Sequence, residues 1–457
     1  MKNFVNLNVN PCNMCMPMGA AGVFKGIEGT MVLMHGSQGC STYIRRHIAT
    51  HYNEPIDIAS SSLNEKGTVY GGSDNLKKAL KNVIKLYGPK VIGVTTTCLA
   101  ETIGEDIRRI IDEFFLEEKI EGVECVAVSS PGYGGSHYRG HYFTARKVLE
   151  HFAKTGGKSE KINVIVGCMS PGDIRHLKEI LDAFELEYTL FPDISETLDG
   201  GYHTEYDRLP QGGTTVEELK AMGKARATIE IGAMVSDADS PGEYLKTAFG
   251  VPLVRLPLPV GIAGTDMLIE ALETLAGRSM PEKLEKERAR YLDAMIDAHK
   301  HCALGRLGVF GEPESVYALS ALGLENGFKL CVAASGPENE KLLPALRTLE
   351  AEYETMFIKL ENTDFETISG HVIKTETNLL IGPSDGAFMT EKHGIPLIRS
   401  GFPVHDRIGA QRKIIIGYFG SMMLLDEMTN MVLAEKHDSF RQHLLAEYGQ
   451  AKEAKGI

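Results

Sequence analysis

Short apolar runs alternate with longer amphipathic stretches along most of the chain. Residues 74–86 repeat apolar side chains at helical spacing, and the apolar run at 90–94 that follows is typical of a buried strand. The same pattern predicts a helix over 102–115 and a strand over 123–128. Strands that alternate with helices in this way form a parallel sheet covered by helices. The first part of the chain is therefore predicted to be an α/β unit.

This order of elements returns twice, which predicts three tandem Rossmann-like, doubly wound domains with parallel sheets over residues 1–157, 158–302 and 303–457. A polar segment at 154–161 is typical of a linker, and a charged helix at 281–301 is expected to bridge the second and third domains. The remaining predicted elements are a strand at 161–166, a loop at 167–171, a helix at 174–184, a strand at 307–310, a helix at 315–322, and strands at 329–333, 378–381 and 396–398.

Composition narrows the class of protein. The chain has 457 residues, an ordinary apolar fraction of 43% and a formal net charge of −13, which disfavours nucleic-acid binding. No apolar run approaches the roughly 18 residues that span a membrane, and the first residues lack the apolar core of a signal peptide. We therefore expect a cytoplasmic protein with no membrane or nucleic-acid partner.

Three cysteines follow short turns rich in small residues, and all lie in the first quarter of the chain: Cys15, Cys40 and Cys98. Thiolates are the usual protein ligands of iron–sulfur clusters. Three ligands from three separate turns predict one half of a cluster shared between two subunits, in contrast to a closed zinc site. Cys98 and the glycine-rich loop 132–136 each follow a predicted strand, and the carboxyl ends of parallel strands form the binding edge of such sheets.

Other interpretations of the cysteines stay open at this point. Cys12 and Cys15 form a CxxC, which also occurs in redox dithiols and zinc sites. A dithiol of the thioredoxin type needs a helix next, and Pro17 and Gly19 disfavour one there, so one member of the pair as a cluster ligand is the preferred interpretation. The other cysteines lie in or beside apolar runs and are predicted to be core residues: Cys125, Cys168, Cys302 and Cys331.

Two further stretches bear on function. The cationic side chains in 41–47 have three open interpretations: they offset the charge of a cluster, they form a docking face, or they belong to a solvated helix face. The loop 131–137 resembles a phosphate cradle but lacks the Walker sequence, and no other nucleotide motif is present, so nucleotide hydrolysis by this chain is not expected. A serine hydrolase is disfavoured because no Gly-x-Ser-x-Gly elbow is found.

Together these motifs resemble the nitrogenase component 1 family, a nitrogen-fixation family, and specifically its beta-type chains. The resemblance extends over nearly the whole chain and depends on several motifs in the same order. They are found at 10–19, 35–40, 59–72, 95–106, 191–200, 258–266 and 401–412.

The resemblance implies a function for these residues. Cys15, Cys40 and Cys98 would be thiolate ligands of an iron–sulfur cluster at the interface with an alpha-type chain, and Ser136 would ligate the same cluster when it is oxidised. It also implies an α2β2 heterotetramer and an ATP-hydrolysing Fe protein that delivers electrons. Because the substrate-reducing metallocofactor of the family lies in the alpha chain, no catalytic residue is assigned here.

Two departures from the catalytic beta chains refine this expectation. The cluster motif begins about ten residues into the sequence, without the long N-terminal extension of the molybdenum type, and the Cys12/Cys15 pair and the 41–47 stretch are closer to beta-like chains outside conventional nitrogenase. All three cysteines and the serine are nevertheless present. These features favour a methylthio-alkane reductase type of subunit with an eight-iron P-type cluster. The alternatives are the beta-like half of the cofactor-assembly scaffold, a four-iron cluster, and a non-catalytic α/β protein with buried cysteines.

Overall fold

Three parallel sheets follow one another along the chain in the computed structural model, which describes residues 13–167, 169–205 and 207–454. Cys12 and Cys168 lie outside the described residues. The strands are β1 (Thr30–His35), β2 (Ile58–Ser60), β3 (Val91–Thr96), β4 (Glu124–Val128), β5 (Ile162–Ile165), β6 (Tyr188–Phe191), β7 (Ala227–Ile231), β8 (Leu253–Leu256), β9 (Arg306–Gly311), β10 (Lys329–Ser335), β11 (Ile358–Leu360), β12 (Leu379–Gly382) and β13 (Leu397–Arg399).

The strand orders are β2-β1-β3-β4, β6-β5-β7-β8 and β11-β10-β9-β12-β13, and the paired strands in each sheet are parallel. In each order the first strand of the unit lies inside the sheet, so the chain winds outward in both directions from it, as in a doubly wound fold. The predicted α/β class is confirmed. The domain boundaries near residues 157 and 302 stay predictions.

Helices connect the strands and cover the sheets. They are α1 (Met16–Lys25), α2 (Gln38–Tyr52), α3 (Glu65–Tyr70), α4 (Ser73–Tyr87), α5 (Cys98–Thr102), α6 (Ile107–Glu118), α7 (His137–Phe152), α8 (Pro171–Ala183), α9 (Val216–Ala221), α10 (Pro241–Phe249), α11 (Gly261–Ala276), α12 (Glu282–Cys302), α13 (Pro313–Glu325), α14 (Leu342–Glu352), α15 (Phe365–Lys374), α16 (Ala387–His393) and α17 (Gly417–Ala454). No helix among the described residues has both the length and the apolar character needed to cross a membrane.

Strand β1 shows how the first sheet is held between helices. All six of its residues are buried, and successive side chains point to opposite faces. Met31 and Leu33 pack with α4 and α6, whereas Val32 and Met34 join the larger core that α1 and α7 also enter. That larger core continues through the other two sheets. The loops at the end of β1 are therefore fixed to a rigid base.

Helix α1 packs against α7 through two glycines. A Cβ atom at Gly19 would lie 2.0 Å from the carbonyl oxygen of His137, and one at Gly140 would lie 2.1 Å from that of Met16. No larger residue fits at either crossing point. The expectation that Pro17 and Gly19 prevent a helix after Cys15 is wrong, because proline is tolerated in the first helical turn and Gly19 provides the close contact.

Other sequence predictions differ from the structure at helix boundaries. The single helix predicted over 102–115 is two helices, α5 and α6, because Gly104 adopts a φ of 74° and Asp106 caps α6 by accepting from the Arg109 amide. The loop predicted over 167–171 ends one residue early, since Ser170 caps α8 and Pro171 is its first residue. The predicted helices at 74–86 and 281–301 are confirmed as α4 and α12.

The core cysteines predicted from sequence agree with the structure where it describes them. Cys302 and Cys331 are buried. Cys125 is partly buried and packs against the α4–α6 face of the first sheet.

Candidate functional site

The loops after β1, β3 and β4 meet at one edge of the first sheet. These strands are adjacent and parallel, so their carboxyl ends face the same way. Hydrogen bonds then hold the loops together: the Thr97 amide donates to the His35 carbonyl at 3.0 Å, and the Ser130 amide donates to the Thr96 hydroxyl at 2.9 Å. The predicted common edge for Cys98 and the 132–136 loop is confirmed.

Each predicted ligand lies at or near the beginning of a helix. Cys40 is in the first turn of α2, Cys98 is the first residue of α5, and Cys15 is the N-cap of α1. The backbones of Cys15 and Ser136 form an antiparallel bridge. Helix N-termini direct amide N–H groups and the positive end of the helix dipole toward the side chains, which favours negatively charged thiolates.

Gly132 lies between two of the cysteines. Its amide donates to Cys98 Sγ at 3.2 Å. A Cβ atom built on Gly132 would lie 3.1 Å from Cys98 Sγ and 3.3 Å from Cys15 Cβ, so a side chain at this position would crowd both ligands. Amide-to-sulfur hydrogen bonds stabilise thiolates and tune clusters that they hold. The loop therefore provides both space and a donor at this point.

The thiols are close enough to influence one another. The pKa of Cys15 is raised to about 11, mainly by burial; the Met18 amide acts against this, and Cys40 and Cys98 contribute to the rise. Burial also raises the pKa of Cys40, with Cys98 acting in the same direction and the Thr97 hydroxyl against it. Three thiolates this close would repel one another, because they carry the same charge. Metal binding requires deprotonated cysteine, and the charge of a bound metal centre offsets this repulsion.

The site is open on one side. Cys98 is exposed, and Cys15 and Cys40 are half-buried. Two large aromatic side chains near the cysteines are also exposed: Tyr43 in α2, with 47% of its surface accessible, and Tyr133 in the loop after β4, with 68%. Exposed aromatic residues beside a polar centre are typical of contact surfaces.

Ser136 lies at the same edge, but unlike Cys98 it is buried and its hydroxyl already has a hydrogen-bond partner. This hydroxyl caps α7 by accepting from the Arg139 amide at 3.4 Å. The structure thus brings together all four residues predicted from the sequence, with three thiols and one serine on neighbouring loops.

A buried polar network behind the loops was not predicted from the sequence. His35 contacts Ser61 Oγ through Nδ1 at 2.9 Å and Glu105 Oε2 through Nε2 at 2.5 Å, and Glu105 also accepts from the Gly72 amide. Burial lowers the pKa of His35, and Glu105 acts in the opposite direction. The His35–Glu105 contact links the loop that leads to Cys40 with the segment that follows Cys98. The histidine is visible in its motif, but nothing in the sequence identifies its partner 70 residues away.

These residues fit an iron–sulfur group. The donors are sulfur atoms, an amide points at one of them, and a glycine keeps the space beside two of them free. In the described part of the chain, no three His, Cys, Asp or Glu side chains are grouped so as to hold a single metal ion.

Comparisons with known proteins agree on one family. A family model described as nitrogenase component 1 type oxidoreductase matches residues 15–433. The nitrogenase molybdenum-iron protein beta chain of Clostridium pasteurianum is 35% identical over 431 residues, covering 93% of this chain and 93% of that protein. The nitrogenase iron-molybdenum cofactor biosynthesis protein NifN of Mesorhizobium japonicum is 30% identical, covering 94% of this chain and 92% of that protein.

A solved structure shows the same likeness in three dimensions. The structure titled "Nitrogenase Cp1 at pH 6.5" matches with a TM-score of 0.91 and 34% sequence identity, and the match covers 95% of both chains. The family model, the relatives and the fold thus agree over nearly the entire length. The chain belongs to the nitrogenase component 1 type oxidoreductases and is a beta-type member of that family.

Proposed function

We propose that this chain is the beta subunit of a nitrogenase-like reductase, in which it holds an iron–sulfur cluster at the interface with an alpha-type chain. The observation that supports this most directly is the group of three thiols on the open edge of the first sheet. A cluster bound there would relay electrons, since iron–sulfur centres have reduction potentials that the surrounding protein tunes over a wide range.

Cys15, Cys40 and Cys98 would supply the thiolates, and Ser136 a further oxygen ligand when the cluster is oxidised. Gly132 would donate a hydrogen bond from its amide to the Cys98 sulfur, as it already does at 3.2 Å. The residues that the structure describes enclose the group on one side and leave Cys98 exposed, which supports a cluster completed by a second subunit. An eight-iron P-type cluster is the preferred form, and a four-iron cluster is the alternative.

The partners follow from the same site. Exposed Tyr43 and Tyr133 flank the thiols and would be covered by an alpha-type chain in an α2β2 heterotetramer. An ATP-hydrolysing Fe protein would supply the electrons, and the substrate-reducing metallocofactor would lie in the alpha chain. The name of the Clostridium relative, a molybdenum-iron protein beta chain, supports this role.

A scaffold role in cofactor assembly is the second candidate. It is favoured by the likeness to NifN, whose printed name is that of an iron-molybdenum cofactor biosynthesis protein. The complete set of three cysteines and Ser136 favours the reductase. Within the reductases, the sequence resemblance predicts the methylthio-alkane type.

The test is iron counting and turnover of the anaerobically purified complex with its alpha-type chain and Fe protein. Dinitrogen, acetylene and a methylthio-alkane are the substrates to compare. An eight-iron interface cluster with ATP-dependent reduction is the expected result, and reduction of the methylthio-alkane alone would support the narrower assignment. A complex without turnover that donates a cofactor precursor would overturn the reductase proposal in favour of the scaffold.

A further inference from the structure

A cavity whose wall contains none of the cysteines lies where the helices beside the first sheet meet the segments around residues 169–173 and 399–415. Its volume is about 110 Å³. This is about three-quarters of the roughly 150 Å³ of an apolar cavity that binds benzene. Because the cavity is partly open to solvent, it accommodates a small organic molecule whose far end extends toward the opening. The apolar part of its wall is formed by Met18, Ile48, Met169, Leu258, Phe402 and Ile415.

The charged side chains on the wall are already paired within the protein. Arg399 donates to Asp406, Lys413 donates to Glu427 at 2.6 Å, and Asp173 accepts a backbone amide at 2.7 Å. Each cation is therefore neutralised by a neighbouring carboxylate, and the carboxylate of Asp173 is used by the backbone. A charged ligand would find no free counter-charge here, which favours a neutral one.

Two histidines on the wall offer hydrogen-bonding groups to the cavity. His51 Nδ1 accepts from the Val404 amide at 2.9 Å, so its Nε2 bears the proton and is a donor. His141 bonds the Val166 carbonyl through Nε2 at 3.0 Å, which leaves Nδ1 as an acceptor. Burial lowers the pKa of His51 to about 3 and that of His141 to about 4, so both rings are neutral.

A third histidine has a polar atom that the protein does not use. His137 lines the same cavity, is 4% exposed and contacts Glu312 through Nε2. Its Nδ1 is buried, and no hydrogen-bond partner for it is found among the described residues. The rings of His51 and His137 both contact Phe402, at centroid distances of 4.8 and 5.6 Å. The two rings therefore share a neighbour, Phe402, in the wall of the cavity.

We infer that this cavity binds a small neutral molecule with an apolar body and one hydroxyl group, of the phenol or short-chain alcohol class. A hydroxyl both donates and accepts, so one group can donate to His137 Nδ1 and accept from His51 Nε2. Buried polar atoms without partners are costly, and an apolar ligand without the hydroxyl leaves them unsatisfied. No cysteine lines this site, and the inference does not depend on the proposed function.

The probes are 4-bromophenol, bromobenzene and 4-bromobenzoate. Crystals of the full-length protein, in the assembly in which it is isolated, are soaked with each probe, and the anomalous bromine signal locates it. Binding in solution is measured by calorimetry. We expect 4-bromophenol in the cavity, and affinities for bromobenzene and 4-bromobenzoate that are about ten-fold weaker or more, because one hydrogen bond corresponds to about ten-fold in affinity.

Two variants and a control complete the test. His51→Phe keeps the ring but removes the donor, so the preference for 4-bromophenol over bromobenzene should disappear. Ile48→Phe fills the cavity, leaves the polar groups in place and should abolish binding of all three probes. His299→Phe, on the exposed face of α12, should change nothing. Absence of bromine density from the cavity in the wild type, or an unchanged preference in a folded His51→Phe protein, would overturn the inference.

Discussion

At the scale of single residues, the site depends on three sulfur atoms in unequal surroundings. Cys15 is the most strongly perturbed, with a pKa raised to about 11 by burial, and Cys98 is exposed and receives the Gly132 amide. An iron–sulfur cluster held by these cysteines would bind them as thiolates, so its assembly would be coupled to proton release.

Cys98→Ala tests whether the exposed thiol is a ligand. The variant should lose most of the iron of the interface site in the assembled complex, because one thiolate ligand is missing and the alanine offers no replacement. Iron analysis and EPR of the anaerobic complex measure this. Cys125→Ala, near the start of β4 and away from the loop at its carboxyl end, is the matched control and should retain its iron. Equal iron contents in the two variants would contradict the assignment.

Ser136→Ala separates two roles of one hydroxyl. The serine caps α7, and loss of such a cap costs about 1 kcal/mol. If Ser136 is also a ligand of the oxidised cluster, the alanine variant should keep the reduced-state EPR spectrum and show a shifted midpoint potential on oxidation. Ser170→Ala removes a comparable cap from α8 and should lower stability without moving the potential. Identical redox titrations for Ser136→Ala and wild type would rule out the ligand role.

At the scale of elements, the ligands are positioned by the network behind them. His35 ends β1 and contacts Glu105, which lies beyond the short helix α5 that begins at Cys98. The contact fixes the turn toward Cys40 relative to the turn containing Cys98. A histidine at the end of a buried strand is thus a positioning residue for two loops.

His35→Ala should leave the Glu105 carboxylate without its buried partner. Removing one member of a buried ion or hydrogen-bonded pair typically costs about 3–5 kcal/mol, and we expect a lower denaturation midpoint together with reduced iron content. His35→Gln, which can still donate to Glu105, should restore part of both. His371→Ala, on α15 in the third unit, serves as the control. Full iron content in a folded His35→Ala protein would show that the loops hold their positions without the pair.

Local patterns in the sequence were enough to predict the three α/β units and the common edge for Cys98 and the 132–136 loop. The three units depend on apolar periodicity, and the common edge depends on the direction of parallel strands; both are encoded locally. The break at Gly104 and the start of α8 at Pro171 were missed because single glycine and capping residues decide them. The His35–Glu105 pair and the cavity histidines arise from contacts between distant segments, which no local pattern reveals.

At the scale of the whole molecule, two buried histidines beside the cavity connect the three units. His51 of the first unit accepts from the Val404 amide of the third. His141 of the first unit donates to the Val166 carbonyl of the second. Burial holds the pKa of His51 near 3 and that of His141 near 4, below the ordinary value of 6.5. Unfolding exposes both rings, and the unfolded chain then binds protons that the folded chain excludes. Stability contributed by these groups is complete above about pH 6.5 and is lost as the pH falls toward the folded pKa.

The chain should therefore be sensitive to mild acid. By pH 5 each of the two histidines should cost about 2 kcal/mol of stability relative to pH 8. Denaturant unfolding of the assembled protein across this range measures the slope. His141→Gln, which can still donate to the Val166 carbonyl, should flatten the pH dependence while lowering stability at pH 8. An unchanged slope in this variant would show that other groups determine the acid response.

The cysteine edge also determines how the chain behaves without a partner. Half-buried and exposed thiols lie beside the exposed aromatic side chains of Tyr43 and Tyr133, and exposed apolar patches of this kind lead to association. The chain expressed alone should therefore form dimers or larger species in sedimentation under anaerobic, reducing conditions. Tyr43→Ser/Tyr133→Ser should shift it toward the monomer, and Tyr202→Ser, which removes an exposed tyrosine on a different loop, should not. A wild-type chain that sediments as a stable monomer would contradict an apolar contact surface at this edge.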